Sequence, residues 1–427
     1  MAKNFLEQLG RAAIFRAKEQ SLGEPQTQSG VSIAFDLGSG LGIERVVEDD
    51  GNQVRGTELP TRLYAASQTA GGKLSQKRAR PDFLTFALAC FYGSISSQQV
   101  ASGVYQHTIT PSGALYPPSF TLIQRRGDSI LKERFSGNLI ESFSLELGES
   151  WIGLSVDVKG IGRRETNYLH EVVTAPANST QITLAANGVH GSGDSERLEN
   201  VFRVRAKDSG SNVWTVAKVV SVSAAVPAVI TLEQAIGSSP NLIDFHVDYI
   251  PVEPSWCTFP AMLEESPLRL VDAQVMVDGY FNGSQVLGGE LVSNDLLGFS
   301  INAKNDLAIR QLADGSNEIY ANEAVRQGRE ITIKISERLR NTIRQWQSDH
   351  PETETICLYL KIRGAEIVPG SGYYFGADLV FPQCGILKTP IVTSGKVYAQ
   401  EGDLVVMDDG TYCGVFIRTW NQVSSYL

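Results

Sequence analysis

"ILKERFSGNLIESFSLEL" occupies Ile130–Leu147, and "ILKTPIVTSGKVYAQEGDLVVM" occupies Ile386–Met407, 256 residues further on. Both open on Ile-Leu-Lys, pass a Ser-Gly (Ser136-Gly137, Ser394-Gly395) and run into alternating apolar and polar residues. Alternation with period two puts one set of side chains on each face of a strand. The surrounding spacing extends the likeness. Helical text begins at Pro81, 49 residues before the first Ile-Leu-Lys, and at Ser336, 50 residues before the second. Each half therefore reads as strands, a long polar loop, one amphipathic helix and a packed run of hairpins. We read two copies of one α+β module.

The first helix is "RPDFLTFALACFYG". Pro81 suits the first helical turn, Phe83, Leu84, Ala87, Leu88 and Phe91 form the apolar stripe, and Gly93 stops it. The second is "SERLRNTIRQWQSD", with Ser336 as N-cap, Leu339, Ile343 and Trp346 as stripe and Pro351 just beyond. A third, short amphipathic helix is expected in the first twenty residues, with Phe5, Leu6, Leu9 and Ala13 on one face. Two polar stretches, Ala66–Arg80 and Lys304–Gln327, are expected as long loops before the two main helices. In "WIGLSVDV", Ile152, Leu154, Val156 and Val158 face one way while Gly153, Ser155 and Asp157 face the other.

Residues 166–255 have another texture, rich in Ala, Val, Ser and Asn. Short β runs lie at "QITLAA", "NVFRVRA", "VWTVAKVVSV", "AVITLEQ" and "LIDFHVDYI", separated by polar turns. That is enough for a small five-stranded barrel or sandwich inserted between the two copies. The organisation expected is an arm at 1–29, a first module at 30–165, the insert at 166–255 and a second module at 256–427.

Bulk properties narrow the function. At 427 residues the chain is long enough for two or three domains. No apolar run approaches the roughly 20 residues of a membrane span, and the start lacks a signal-peptide core, which predicts a chain assembled in a cytoplasm. Five scattered cysteines, never in a C-x-x-C pair, argue against structural zinc and a disulfide framework. A formal charge of −10 argues against a protein that grips nucleic acid through a basic face.

Chemistry-bearing motifs are few. "IAFDLGSGLGIERV" (Ile33–Val46) resembles the glycine-rich first motif of nucleotide-fold methyltransferases. That motif requires a long helix directly after the glycines, and here β-branched "IERVV" follows, so a β-turn is expected. The five histidines (His107, His170, His190, His246, His350) show no metal-ligand spacing, and "RRGD" (Arg125–Asp128) reads as a hairpin turn. No residue set is assigned to catalysis, a cofactor or a metal. The cations Lys73, Lys77, Arg78 and Arg80 form a basic cluster in an acidic protein, which points to contact with an acidic protein surface.

The stretch Gly103–Gly160 resembles the tail tube proteins (major tail proteins) of long-tailed bacteriophages. The resemblance lies in Tyr105–Thr108 (Tyr-x-His-Thr), Pro118-Ser119-Phe120-Thr121, Phe135-Ser136-Gly137 and Ser142-Phe143-Ser144-Leu145 leading into a Gly-Glu turn. "AIFRAKEQSLGE", "RPDFLTFALACFYGS", "ADLVFPQCGIL" and "FIRTWNQVSSYL" are similar to the lead-in, helix and closing segments of the larger members. The resemblance spans most of the chain except 166–255. It implies a mainly β (α+β) fold of two tandem tail-tube-like modules, each of β-sandwich or half-barrel hairpins plus one helix. It also implies homotrimeric, pseudo-hexameric rings stacked in a virion, around a lumen that passes tape-measure protein and then DNA. The cluster Lys73, Lys77, Arg78, Arg80 would then join one ring to the next. A distal-tail or hub ring on the same module, and a β-rich carbohydrate-binding adhesin, are the alternatives.

Overall fold

Period-two alternation dominates the chain, and the protein is mainly β, with 59% of residues in strands and two α-helices among the described residues. This computed structural model describes the chain except residues 1–9, 51–61, 127–130, 208–213, 238–241, 293–294, 317, 339–354 and 395–396. The first half holds β1 (Arg11–Phe15), β2 (Gly30–Ile33), β3 (Gly40–Asp49), β4 (Leu63–Gln76), α1 (Pro81–Tyr92), β5 (Gly93–Ala101), β6 (Val104–Pro111), β7 (Phe120–Arg126), β8 (Leu131–Leu147) and β9 (Ile152–Thr166). The middle holds β10 (Leu169–Pro176), β11 (Gln181–Thr183), α2 (Asp194–Glu199), β12 (Val201–Lys207), β13 (Trp214–Ala217), β14 (Val219–Val222), β15 (Val229–Leu232) and β16 (Leu242–Tyr249). The second half holds β17 (Ala273–Val277), β18 (Tyr280–Phe281), β19 (Val286–Leu287), β20 (Glu290–Leu291), β21 (Leu296–Arg310), β22 (Glu323–Arg338), β23 (Ile356–Glu366), β24 (Tyr374–Lys388), β25 (Ile391–Ser394), β26 (Val397–Val406) and β27 (Phe416–Asn421).

The chain divides into two compact units. The larger comprises 11–122, 135–164 and 260–427, and the smaller comprises 1–10, 123–134 and 165–259. In the larger unit β3 pairs antiparallel with β4, and β4 with β9. Likewise β21 pairs with β22, and β22 with β26. Ile152, Leu154, Val156 and Val158 all turn inward, as their alternation predicts. They join Phe143, Leu145, Ile301, Ile333, Ile335 and Leu404 in one core.

Helix α1 runs through the middle of that core. It begins at Pro81 and ends on Gly93, whose φ of 86° is the left-handed conformation a C-cap glycine takes readily. All twelve residues are buried, not only the expected stripe. Asp82 is the helix's one charged side chain. Arg16 grips it through two bonds of 2.9 and 3.0 Å, and the Tyr426 hydroxyl donates to it at 2.6 Å. A charge this buried requires such partners.

Four expected elements are corrected. Arg11–Phe15, placed sequentially inside the expected first helix, is a strand paired with β2; Phe5, Leu6 and Leu9 lie outside the described residues. Ser336 caps no helix: it sits in β22 opposite Gly298, because the β-branched alternation of "EITIKIS" carries the strand on to Arg338. Leu339, Ile343, Trp346 and Pro351 lie outside the described residues. The two polar stretches are largely strand, not loop. Ala66–Gln76 belongs to β4, and Lys304–Arg310 and Glu323–Gln327 belong to β21 and β22. Polar residues at inward positions hid the first of these. Gln76 is buried, donates to the Ala34 carbonyl at 2.9 Å and accepts from the Arg80 amide at 3.0 Å.

The smaller unit has its own core, including Ile182, Val204, Ile230, Phe245 and Val247. It is built from two sheets, β10-β16-β12-β13 and β11-β15-β14. The seven strands exceed the five expected because β10 was missed and "VWTVAKVVSV" is split into β13 and β14. "IAFDLGSGLGIERV" runs from the end of β2 through a turn, closed by the Ser39 amide on the Asp36 carbonyl, into β3, so a strand and not a helix follows the glycines.

Candidate assembly surface

The hairpins β3–β4 and β21–β22 repeat each other residue by residue. They share a bulge: the register shifts between Val46 and Val47 in β3, and between Asp306 and Leu307 in β21, which has a second shift between Leu296 and Gly298. The unpaired residue opposite is Ala66 in β4 and Gln327 in β22. The offsets are thus 260 for the first strand (47 to 307) and 261 for the second (66 to 327). With these offsets Arg45 opposite Gln68 corresponds to Asn305 opposite Arg329. Both pairs are hydrogen bonded, Arg45 Nε to Gln68 Oε1 at 2.7 Å and Arg329 Nε to Asn305 Oδ1 at 3.0 Å. Lys73 opposite Asp157 in β9 corresponds to Lys334 opposite Asp403 in β26, an offset of 246 for the last strand (157 to 403).

The second hairpin is docked inside the chain. Phe299–Lys304 of β21 pair antiparallel with Leu147–Ser142 of β8, so the second half adds its strand to the edge of the first. Beyond that seam Leu307 and Ala324 are buried with Leu139. Arg329 locks the seam from the other side. Its guanidinium lies 5.2 Å from the Phe91 ring centre and 5.0 Å from that of Tyr92, and donates to the Phe91 carbonyl at 2.9 Å. That carbonyl ends α1, where a cation is favourable. Burial, followed by the nearby Arg326, pushes the Arg329 pKa down to about 10.

The first hairpin is bare at the same positions. Val47, the counterpart of Leu307, is 51% exposed, and Leu63, the counterpart of Ala324, is 73% exposed. The counterparts are 4% and 3% exposed. Val46 and Tyr64 add to this uncovered apolar surface. Two apolar residues at inward-type positions without cover mark a surface for another molecule.

Opposite the core, the sheet is polar. Ser142 and Ser144 of β8, Ser155 and Asp157 of β9, and Asn302 and Lys304 of β21 line one shallow depression of about 270 Å³. Ser142 donates to Asp157 at 2.7 Å, and Lys159 lies 3.6 Å from Glu141. Charges of both signs alternate on this face.

The four cations singled out from sequence do not form one flexible cluster. Lys73 stands in the middle of β4, on the polar face. Lys77 and Arg78 are exposed in the short turn before α1, where Arg78 lies 5.0 Å from the Trp151 ring centre. Arg80 is the residue preceding α1, half-buried, donating to the Glu265 carbonyl at 3.2 Å. Lys73, Lys77 and Arg78 are exposed, and of these Lys77 and Arg78 lie outside the sheet, in the turn before α1.

A second surface escaped the sequence reading. On the outer face of β10-β16-β12-β13, Asp248 accepts from His170 at 2.5 Å and from Arg203 at 2.9 Å. Burial alone would raise its pKa, but these bonds and one from Tyr168 hold it below the usual carboxylate range. Trp214 meets His246 edge-on at 4.9 Å and carries Arg205 at 4.7 Å. The alternation in "LIDFHVDYI" could have found this face, since Asp244, His246 and Asp248 share it. Asp248, His170 and Arg203 are occupied with each other, and His246 lies 3.2 Å from His170. No protein-family model matches the chain, and no curated protein sequence matches it.

Proposed function

We propose that the chain is a structural, non-enzymatic virion protein whose copies close into rings that stack into a phage tail tube. The observation that carries this reading is the seam between β8 and β21. In it, one copy of a repeated hairpin adds its strand to the sheet edge of the other copy. On this reading the chain is two tandem tail-tube-like modules with an inserted β domain, already joined as two neighbours in a wall. A contact between unlike surfaces either closes into a ring or runs on as a filament. Three chains, each contributing two modules, give a pseudo-hexameric ring. Antiparallel edges meeting around such a ring leave no edge exposed.

The polar face supports the same reading. A face of Ser, Asn and paired charges holds water, offers no contiguous basic surface to grip phosphate, and suits a conduit through which tape-measure protein and DNA move. Partners would be other copies of the chain and other tail proteins, with DNA as passing cargo.

Light scattering on the eluting purified protein, followed by negative-stain microscopy, tests this. Trimeric rings and tubes of stacked rings are expected as concentration rises. Rings that never stack would move the protein to a distal-tail or hub position. A chain that remains monomeric at all concentrations would overturn the proposal.

A further inference from the structure

We propose that His170 and His246, on the outer face of the smaller unit, form a two-histidine chelate for a borderline divalent metal cation of the zinc and copper class. The site belongs to the smaller unit alone and stands whether or not copies of the chain assemble.

Spacing is the first observation. In the register of β10 against β16, His170 lies opposite Asp248 and Val172 opposite His246, so the two histidines are diagonal neighbours. That placement brings His170 Nε2 to 3.2 Å from His246 Nδ1, although the residues are 76 apart in the chain. Two imidazole nitrogens held on one ion at about 2.0–2.1 Å, at tetrahedral or right angles, lie about 2.9–3.4 Å apart. The pair already has the span of a chelate. The rings are inclined at 38° with centres 5.3 Å apart, and a modest rotation of each turns both nitrogens toward one shared ion.

Support for the ligand is the second. His170 Nδ1 donates to Asp248 Oδ1 at 2.5 Å, and Arg203 Nε donates to the other oxygen at 2.9 Å. Asp248 is 3% exposed, and the adjacent guanidinium favours its ionised, accepting form. The His170 proton is therefore on Nδ1, which leaves the Nε2 lone pair facing His246. A carboxylate on the far nitrogen of a ligating imidazole fixes its tautomer and raises its basicity. The proton between the two rings is then on His246 Nδ1. On binding it passes through solvent to His246 Nε2, so both ligand nitrogens present lone pairs and no net proton is released.

Donor chemistry sets the class of ion. Neutral imidazoles suit Zn²⁺, Ni²⁺ and Cu²⁺, whereas Mg²⁺ and Ca²⁺ require oxygen ligands. Asp244 and Asp248 on β16 are matched by Arg203 and Arg205 on β12, so coordination holds the ion rather than a field of carboxylates. Among the described residues no group of three or more His, Cys, Asp or Glu side chains could hold a metal ion. The pair thus supplies two ligands, and water or a donor from another molecule completes the shell.

Titrating Cu²⁺ into the full-length chain, with Cys413→Ser removing the exposed thiol, tests the proposal. One tight equivalent per chain is expected, with two-nitrogen coupling in its electron paramagnetic resonance spectrum. Trp214, whose ring centre is 4.9 Å from that of His246, should lose fluorescence as the ion binds. Trp214→Phe should remove that quench and keep the equivalent. His170→Gln and His246→Gln should each weaken binding at least about tenfold, and the double variant should be little worse than either, because a chelate fails when one arm is lost. Zn²⁺ should displace Cu²⁺ when in excess, and Mg²⁺ should not. Far-ultraviolet circular dichroism identical to wild type confirms that the variants fold. Unchanged binding in both single variants, or losses that add as for two independent histidines, would overturn the chelate.

Discussion

Glu265 is 8% exposed and lies against the start of α1, where the Asp82 amide donates to its Oε2 at 2.8 Å. Its other oxygen is buried without a hydrogen-bond partner. Burial, then the Asp82 carboxylate, raise its pKa from 4.5 to about 7, against the pull of Arg16 and Arg80. The folded state therefore holds a proton that the unfolded chain releases. The stabilising contribution is complete below the unfolded pKa and is lost as pH rises through about 7. A shift of this size corresponds to about 3 kcal/mol, of which about 2 kcal/mol is lost between about pH 5.5 and about pH 8.5. Glu265→Gln keeps an oxygen for the Asp82 amide and removes the titration. Urea denaturation at the two pH values should show the wild type losing about 2 kcal/mol more than the variant. Other carboxylates shift both proteins alike and cancel in the difference. Parallel losses in the two would mean that Glu265 is ionised throughout and that the reasoning from its burial is wrong.

Leu88→Ala, in the fully buried α1, should cost about 2–5 kcal/mol in chemical denaturation, and a cost near zero would mean the helix does not organise this core. Arg329→Ala should cost about 2–3 kcal/mol by the same assay, because the Phe91 carbonyl and Asn305 lose a charged donor; an unchanged midpoint would show the seam needs no such lock. Val47→Asp with Leu63→Asp should leave the melting temperature of the isolated chain within a few degrees while sedimentation shows assembly lost, and intact rings would show that this surface faces solvent in the particle. Lys77→Glu with Arg78→Glu should permit rings but weaken their stacking, with the deficit relative to wild type largest at low salt and shrinking as salt screens the repulsion, read by tube length in negative stain; tubes of normal length would remove these two cations from the contact between rings.

The sequence disclosed the inward stripe of β9 and the helix from Pro81, because each is a single-period pattern bounded by its own stop signals. The duplication was legible in outline and misaligned in detail. Leu131 and Lys132 open β8, whereas Ile386–Lys388 close β24, so the two Ile-Leu-Lys tripeptides hold different places in the fold. What repeats is not text but a bulge, a cross-strand Arg–amide pair and a Lys–Asp pair, each made by residues distant in sequence. The offset also drops from 261 at the second hairpin strand to 246 at the last strand. The second half is therefore 15 residues shorter between those points, and no constant-interval comparison can align both ends. The exposed ends of the seam were invisible for a related reason. Val47 and Leu307 occupy equivalent places in equivalent hairpins, and local sequence gives both the same inward preference. Leu307 is covered because the chain brings Leu139 against it, and that is settled by chain connectivity rather than by side-chain chemistry. On the proposal that copies assemble, an uncovered residue beside its covered equivalent is the trace, in one copy, of a contact that requires two.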